Sequence, residues 1–279
     1  MIVGAGLLSH APVIMFPEAM RMEANGGRDF TLATGLVRLK REVFDVVDHD
    51  TVLVFDTHWA TTTEFVVTAH DLRKGIFTSS EMPTAFRQIP YDLKGDAALA
   101  RAICNQAEWA VAVDDPHLPI QYATLNLQSY LAKPGQAWVS ASVCQTATGE
   151  DFLAFGGAIA RAIEQTGRRV MLLASGGLSH TFLPLGELRT HMGGDPQNIV
   201  SPEARAADRQ RIEWLEAGRH DRVIQAMPDF QKFNPEAGFG HYLMLAGALG
   251  GASCTLRGQR FSEYESGIGT GHIHLWFKP

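Results

Sequence analysis

Two hydrophobic rhythms alternate along the chain. Short apolar, often β-branched runs at 2–8, 51–55, 65–68, 110–113, 137–143 and 169–174 read as strands. Between them lie stretches of helical period. In 31–47, Leu32, Leu36, Leu39 and Val43 recur every three or four residues. Asp96 can cap a helix over 97–107. Further helices are predicted at 122–132, at 151–165 before Gly167, at 202–217, at 220–227 and at 239–249. Cys254-Thr255-Leu256 and residues 272–277 read as late strands. Residues 71–94 carry Gly75, Pro83 and Pro90 and read as a long irregular segment, which in a compact domain usually serves function. Strands alternating with helices predict an α/β fold: one domain over 1–279, with a mixed central sheet flanked by helices on both faces. No repeat or linker interrupts it.

Composition narrows the function classes. Of 279 residues, 46% are hydrophobic and 19% charged, which suits a globular enzyme rather than a disordered chain. The net charge is −6 and no Lys/Arg run occurs, so no nucleic-acid partner is expected. No apolar stretch reaches the roughly 18 residues of a membrane span. The first residues lack a basic n-region and a long apolar h-region, so no signal peptide is expected. Cys104, Cys144 and Cys254 lie far apart and form neither a CxxC pair nor a disulfide framework, which points to the cytoplasm.

Histidine carries the chemical signal, with 11 in the chain. His10 follows the first strand and His58 follows the strand at 51–55. Ligands gather at the carboxyl ends of strands in open α/β sheets, so both can reach one site. Glu236, just before an apolar helix, can sit near a helix N-terminus. Two histidines and a carboxylate make the facial triad of non-haem Fe(II) oxygenases. Spacing alone leaves open the alternative of satisfied core or surface histidines and an exposed glutamate. Gly267-Ile268-Gly269-Thr270-Gly271 lacks the spacing and following helix of a dinucleotide loop. Ser175-Gly176-Gly177 is not a Gly-x-Ser-x-Gly nucleophile elbow.

Four segments in fixed order decide between these readings: Ser9-His10-Ala11-Pro12, Phe55-Asp56-Thr57-His58-Trp59, Ala174-Ser175-Gly176-Gly177-Leu178-Ser179-His180 and Gly269-Thr270-Gly271. Together they resemble the class III extradiol dioxygenases, the family of the protocatechuate 4,5-dioxygenase catalytic subunit, over about residues 4–277. Within it the chain is most similar to 3,4-dihydroxyphenylacetate 2,3-dioxygenases and aminophenol dioxygenase subunits. The resemblance implies Fe(II) held by His10, His58 and Glu236, with His180 as general acid/base. It implies a small aromatic diol or aminophenol and O2 as substrates, and a semialdehyde-type product containing both oxygen atoms. It also implies a homo-oligomer, with or without a small accessory subunit.

One departure stands out. Where many members carry Asp-His-Gly, this chain has Gln121-Tyr122-Ala123, so Tyr122 is the candidate hydrogen-bond donor to substrate or bound oxygen. His117 and His272 are candidate substrate contacts. His272 and His274 share a strand face and could instead form a metal pair or pack ordinarily. His241 on the Ala/Leu helix is a candidate near-site residue, and His49, His70, His191 and His220 read as surface residues. Asp56 can orient His58 or cap its loop. Arg28, Arg87 and His272 are the candidate partners for a substrate carboxylate. The competing functions are a zinc-dependent or hydrolytic relative on the same scaffold, a non-catalytic partner subunit, and a binding protein for apolar ligands.

Overall fold

The computed structural model describes residues Met1–Pro279. Its strands are β1 (Ile2–Leu8), β2 (Thr51–Thr61), β3 (Phe65–Thr68), β4 (Leu72–Phe77), β5 (Ile89–Lys94), β6 (Ala110–Val113), β7 (Ala137–Cys144), β8 (Val170–Ser175), β9 (Gly258–Arg260), β10 (Glu265–Gly267), β11 (Thr270–His272) and β12 (Leu275–Phe277). Its helices are α1 (Glu18–Ala24), α2 (Thr31–Leu39), α3 (Ala97–Asn105), α4 (Tyr122–Leu131), α5 (Gly149–Thr166), α6 (Leu185–Leu188), α7 (Pro202–Glu216), α8 (His220–Gln225), α9 (Met227–Phe230) and α10 (Gly240–Ala248).

The main sheet is mixed and runs β4-β5-β7-β2-β8-β1-β12-β9, with β3 and β6 attached beside β7. Its centre, β7-β2-β8-β1, is parallel; β12 and β9 extend it antiparallel. Buried on both faces, these central strands are nearly continuous apolar runs, as parallel sheets require. Alternate residues feed two cores. Leu53, Phe55, Val139, Leu172 and Leu7 pack on one face with side chains of α3, α5 and α10. Val52, Val54, Trp138, Met171 and Leu173 pack on the other with those of α2 and α4. The expected sheet with helices on both faces is therefore present.

The predicted α-helix at 31–47 runs to Leu39 and then widens into a π-type turn at Lys40–Phe44. Asp96 caps α3 by accepting from the Leu99 N–H at 3.1 Å. A Thr148/Asp151 capping box starts α5, and Gly167 ends it in the left-handed conformation.

Three strand expectations need correction. Residues 71–94 are not irregular throughout: β4 and β5 pair antiparallel from Leu72↔Lys94 to Phe77↔Ile89. Cys254-Thr255-Leu256 lies outside any strand, and the chain joins the sheet only at Gly258. The strand expected over 272–277 is two: β11 pairs with β10 in a separate ribbon, and β12 joins the main sheet.

Candidate metal centre

The carboxyl ends of three adjacent strands build the site. β1 ends at Leu8 and hands the chain to Ser9 and His10. β8 lies between β1 and β2, with Ser175 opposite Leu8 on one side and Asp56 on the other. In β2 the pairing with β7 jumps from Asp56↔Ser142 to Ala60↔Val143. Residues 57–59 therefore bulge out of register, and the bulge re-aims His58. Asp56 serves this bend. Its Oδ1 accepts from the His58 backbone N–H at 3.0 Å, and its Oδ2 accepts from the Thr124 N–H at 2.8 Å and hydroxyl at 2.6 Å. It orients His58 through the backbone rather than the ring.

Glu236 arrives from the far end of the chain. It opens a 3-10 turn, Glu236–Phe239, that leads into α10. Asn234, Ala237, Gly238 and Phe239 around it all have positive φ. Such strain persists only where surrounding contacts over-determine it, and it clusters at functional sites. Those contacts are visible: Glu236 N–H donates to Leu178 O at 3.1 Å, and His180 N–H donates to Asn234 O at 3.1 Å. The Ser179↔Pro235 bridge ties the same two segments together.

The ligand atoms of His10, His58 and Glu236 lie within 4.8 Å of one another. His10 Nε2 stands 3.2 Å from Glu236 Oε1, while its Nδ1 lies 3.0 Å from Ser175 Oγ. Glu236 Oε2 accepts the Gly177 N–H at 2.5 Å, and the Thr57 hydroxyl meets Oε1. Gly177 permits this approach, because a Cβ there would lie 2.9 Å from the His272 ring. His58 Nδ1 is 2.9 Å from Glu81 Oε1, which leaves Nε2 free. Burial alone would raise the Glu236 carboxyl, but His10, His180 and His58 around it hold it well below the usual carboxylate range. Burial opposes charge on His58, yet Glu81 and Glu236 outweigh it and push the imidazole up. The cluster thus holds a buried negative charge whose ion-pairing partners are all imidazoles. Two neutral imidazoles and a carboxylate suit a divalent cation, whose charge would answer that of Glu236.

His180 sits in the wall of the adjoining cavity, with Nε2 3.7 Å from Glu236 Oε2 and its ring edge-on to Phe182 at 4.8 Å. Burial lowers its pKa, so it is neutral at neutral pH.

Other candidates fall elsewhere. Tyr122 is buried, edge-on to the rings of His10 at 5.5 Å and His58 at 4.9 Å. Its hydroxyl lies 3.4 Å from Asn126 Nδ2, and it does not line the cavity. It packs edge-on against both imidazoles. His117 is exposed in the turn after β6, its N–H bonded to Asp115, away from the cavity. His272 is buried behind the Gly177 turn, with Nδ1 2.8 Å from Ser9 Oγ and Nε2 2.6 Å from Thr270 Oγ1. Both ring nitrogens are engaged within the chain, and the ring does not line the cavity. His274 is spent likewise: its Nδ1 accepts from Ser9 N–H and its Nε2 therefore donates to Leu32 O. His241 packs beneath Gly176, within a Cβ's reach of that turn. His70 and His220, expected at the surface, are buried, because each reaches a backbone carbonyl: Asp115 O at 2.7 Å and Leu256 O at 2.9 Å. Arg28 and Arg87 are exposed and do not line the cavity. Sequence reading missed Glu81, Thr57, Ser175 and Gly177. The last three lie inside the quoted motifs, and that was the only signal for them.

Fold and cluster together define an α/β enzyme with a candidate metal centre at its strand ends. Residues 4–273 match the family described as the catalytic LigB subunit of aromatic ring-opening dioxygenase, and the chain belongs to that family. It is therefore an oxidoreductase of the ring-cleaving dioxygenase type, acting on an aromatic substrate with O2. It is similar to the 3,4-dihydroxyphenylacetate 2,3-dioxygenase of Escherichia coli, at 30% identity over 214 residues, which cover 72% of this chain and 74% of that one. Its fold is similar to that of an uncharacterized protein from Escherichia coli K12. That crystal structure has a TM-score of 0.61 at 15% identity, covering 98% of this chain and 99% of the other. No helix is long and apolar enough to cross a membrane.

Proposed function

We propose that the chain is an Fe(II)-dependent extradiol dioxygenase for a catechol-, aminophenol- or dihydroxypyridine-like ring. In this reading His10, His58 and Glu236 hold the iron. The observation that carries it is the buried Glu236 carboxylate, which lines the cavity and whose only ion-pairing partners are imidazoles. A buried carboxylate without a cation is costly, and a dication removes that cost. Bound Fe(II) supplies a chelating centre for two adjacent ring oxygens and a route for electrons from ring to O2. Zn(II) suits the same donors but has no redox chemistry, so it does not fit the family's reaction.

The chain's own residues do the rest. Ser175 and Glu81 fix the ring orientations of His10 and His58. Tyr122 packs edge-on against both rings and limits their movement. His180, neutral and in the wall, takes the proton of a substrate hydroxyl and later returns it. Residues 1–279 act as one catalytic unit. A cytoplasmic homo-oligomer, with or without a small accessory subunit, belongs to the same reading and rests on the family likeness.

The test is metal analysis of anaerobically purified protein, followed by O2 uptake on a catechol and aminophenol panel after loading with Fe(II) or Zn(II). O2 consumption with a ring-opened chromophore in the iron form alone is expected. Equal turnover with zinc, or turnover without O2, overturns the assignment.

A further inference from the structure

The cavity over the metal candidates has a volume of about 1320 Å³. A cavity of ~150 Å³ already holds benzene, so a single-ring diol leaves most of this space empty. Beyond His58, His180 and Glu236, the wall is largely apolar, with Val143, Phe152, Leu153, Met227, Leu243 and Phe182 facing inward. Its remaining charged side chains are acidic, Glu81 and Glu150, and it has no Lys or Arg.

One positive feature does face the cavity: the N-terminus of α5, through Thr148, Gly149 and Glu150. Helix N-termini favour anions. This one is already answered from within the chain. The Thr148 hydroxyl accepts from Asp151 N–H, the Asp151 carboxylate accepts from Thr148 N–H at 2.8 Å, and Glu150 adds a second acid to the first turn. An anionic substituent would thus leave water to meet the carboxylates of Glu81 and Glu150 with no Lys or Arg to offset them, which is unfavourable.

We infer that the ring opened here carries a bulky, uncharged apolar substituent, alkyl or aryl, in place of a carboxylate side chain. The inference rests on the ring-cleavage reading above. It sets this chain apart from its 30% identical relative, whose name specifies dihydroxyphenylacetate.

The test compares 4-tert-butylcatechol and 2,3-dihydroxybiphenyl with 3,4-dihydroxyphenylacetate on the Fe(II)-loaded protein. Two readouts are needed: Kd by anaerobic calorimetry and kcat/KM by O2 uptake. Each apolar compound should bind more tightly and turn over at least about tenfold better, the range that apolar pocket contacts supply. In Glu150→Lys the ratio of kcat/KM values should shift toward the carboxylate compound. Equal or better binding and turnover of 3,4-dihydroxyphenylacetate by the native protein overturns the substituent inference and leaves ring cleavage standing. Tight binding of the apolar compounds with no O2 uptake from any compound does the reverse.

Discussion

Glu81 Oε1 stands 2.9 Å from Nδ1 of His58 and thereby couples the stretch between β4 and β5 to a candidate metal ligand. A carboxylate on the far nitrogen fixes the tautomer of a ligating histidine and makes it more basic; losing such a partner typically costs about 10–100-fold in metal affinity. Glu81→Ala should weaken Fe(II) binding by about that factor, measured by competition with a chromophoric chelator. Thermal stability should barely move, because the Glu81 side chain is 60% exposed and such ion pairs are screened by solvent. Unchanged metal affinity would show the contact to be incidental.

Two substitutions in the cavity lining should leave opposite signatures. His58→Ala removes a proposed ligand, so the purified protein should lose its iron and its O2 uptake together. His180→Ala should keep nearly full iron content and lose turnover about 10²–10⁴-fold, the usual contribution of a positioned acid or base. Burial lowers His180, so the acid limb of kcat/KM should fall below pH 6.5 in the native enzyme and vanish in the variant. Iron loss from His180→Ala, or full iron in His58→Ala, would reverse the two roles.

What the sequence showed and what it hid follow from range. His10 and His58 were legible because one follows β1 and the other lies just past the last β2–β8 pair, in the bulge of β2, and strand ends converge in an open α/β sheet. Their partners were not, since Ser175 lies 165 residues from His10 and Glu236 lies 179 from Thr57. The β4–β5 pair was hidden by Pro90, which normally argues against a strand. It is tolerated because β5 reaches the parallel core only at Lys94↔Ala137, so the missing N–H at Pro90 breaks no bond to β7. Period two suggested a shared role for His272 and His274. A break between β11 and β12 instead lets both rings meet Ser9 while their other nitrogens part, His272 to Thr270 and His274 to Leu32 O.

The left-handed run around Glu236 can be relaxed. Ala237 is held at φ 47°, where a non-glycine residue costs roughly 1–2 kcal/mol. Glycine removes that strain but gives back about 0.4–1 kcal/mol through the unfolded chain. Ala237→Gly should therefore stabilise the protein by about 0.5 kcal/mol. The same exchange at exposed, helical Ala206 should destabilise it by about 1 kcal/mol. Urea denaturation of both variants compares the signs; destabilisation by Ala237→Gly would mean that its methyl packing outweighs the strain.

Asp208 gives the last prediction, on pH. It is buried on α7, and its carboxylate accepts from Ser179 N–H at 3.0 Å, Ser179 Oγ at 2.7 Å and Tyr264 OH at 2.6 Å. Burial dominates over these bonds and pushes its pKa up to about 6. The folded protein thus holds this proton more tightly than the unfolded chain, whose aspartates titrate near 4. The stability it confers is fully present below about pH 4 and is lost as pH rises through about 6. The swing is on the order of 3 kcal/mol by pH 8. Asp208→Asn cannot ionise and also loses acceptor capacity toward Ser179 and Tyr264, so it should be less stable at acid pH. Its deficit should shrink steadily between pH 4.5 and 7.5, because only the native protein then takes on the cost of a buried charge. Urea unfolding of both proteins at several pH values, with metal loading held equal, isolates this difference from the other titrating groups. A deficit that stays constant across that window would mean that Asp208 is already ionised at acid pH, with its three donors outweighing burial.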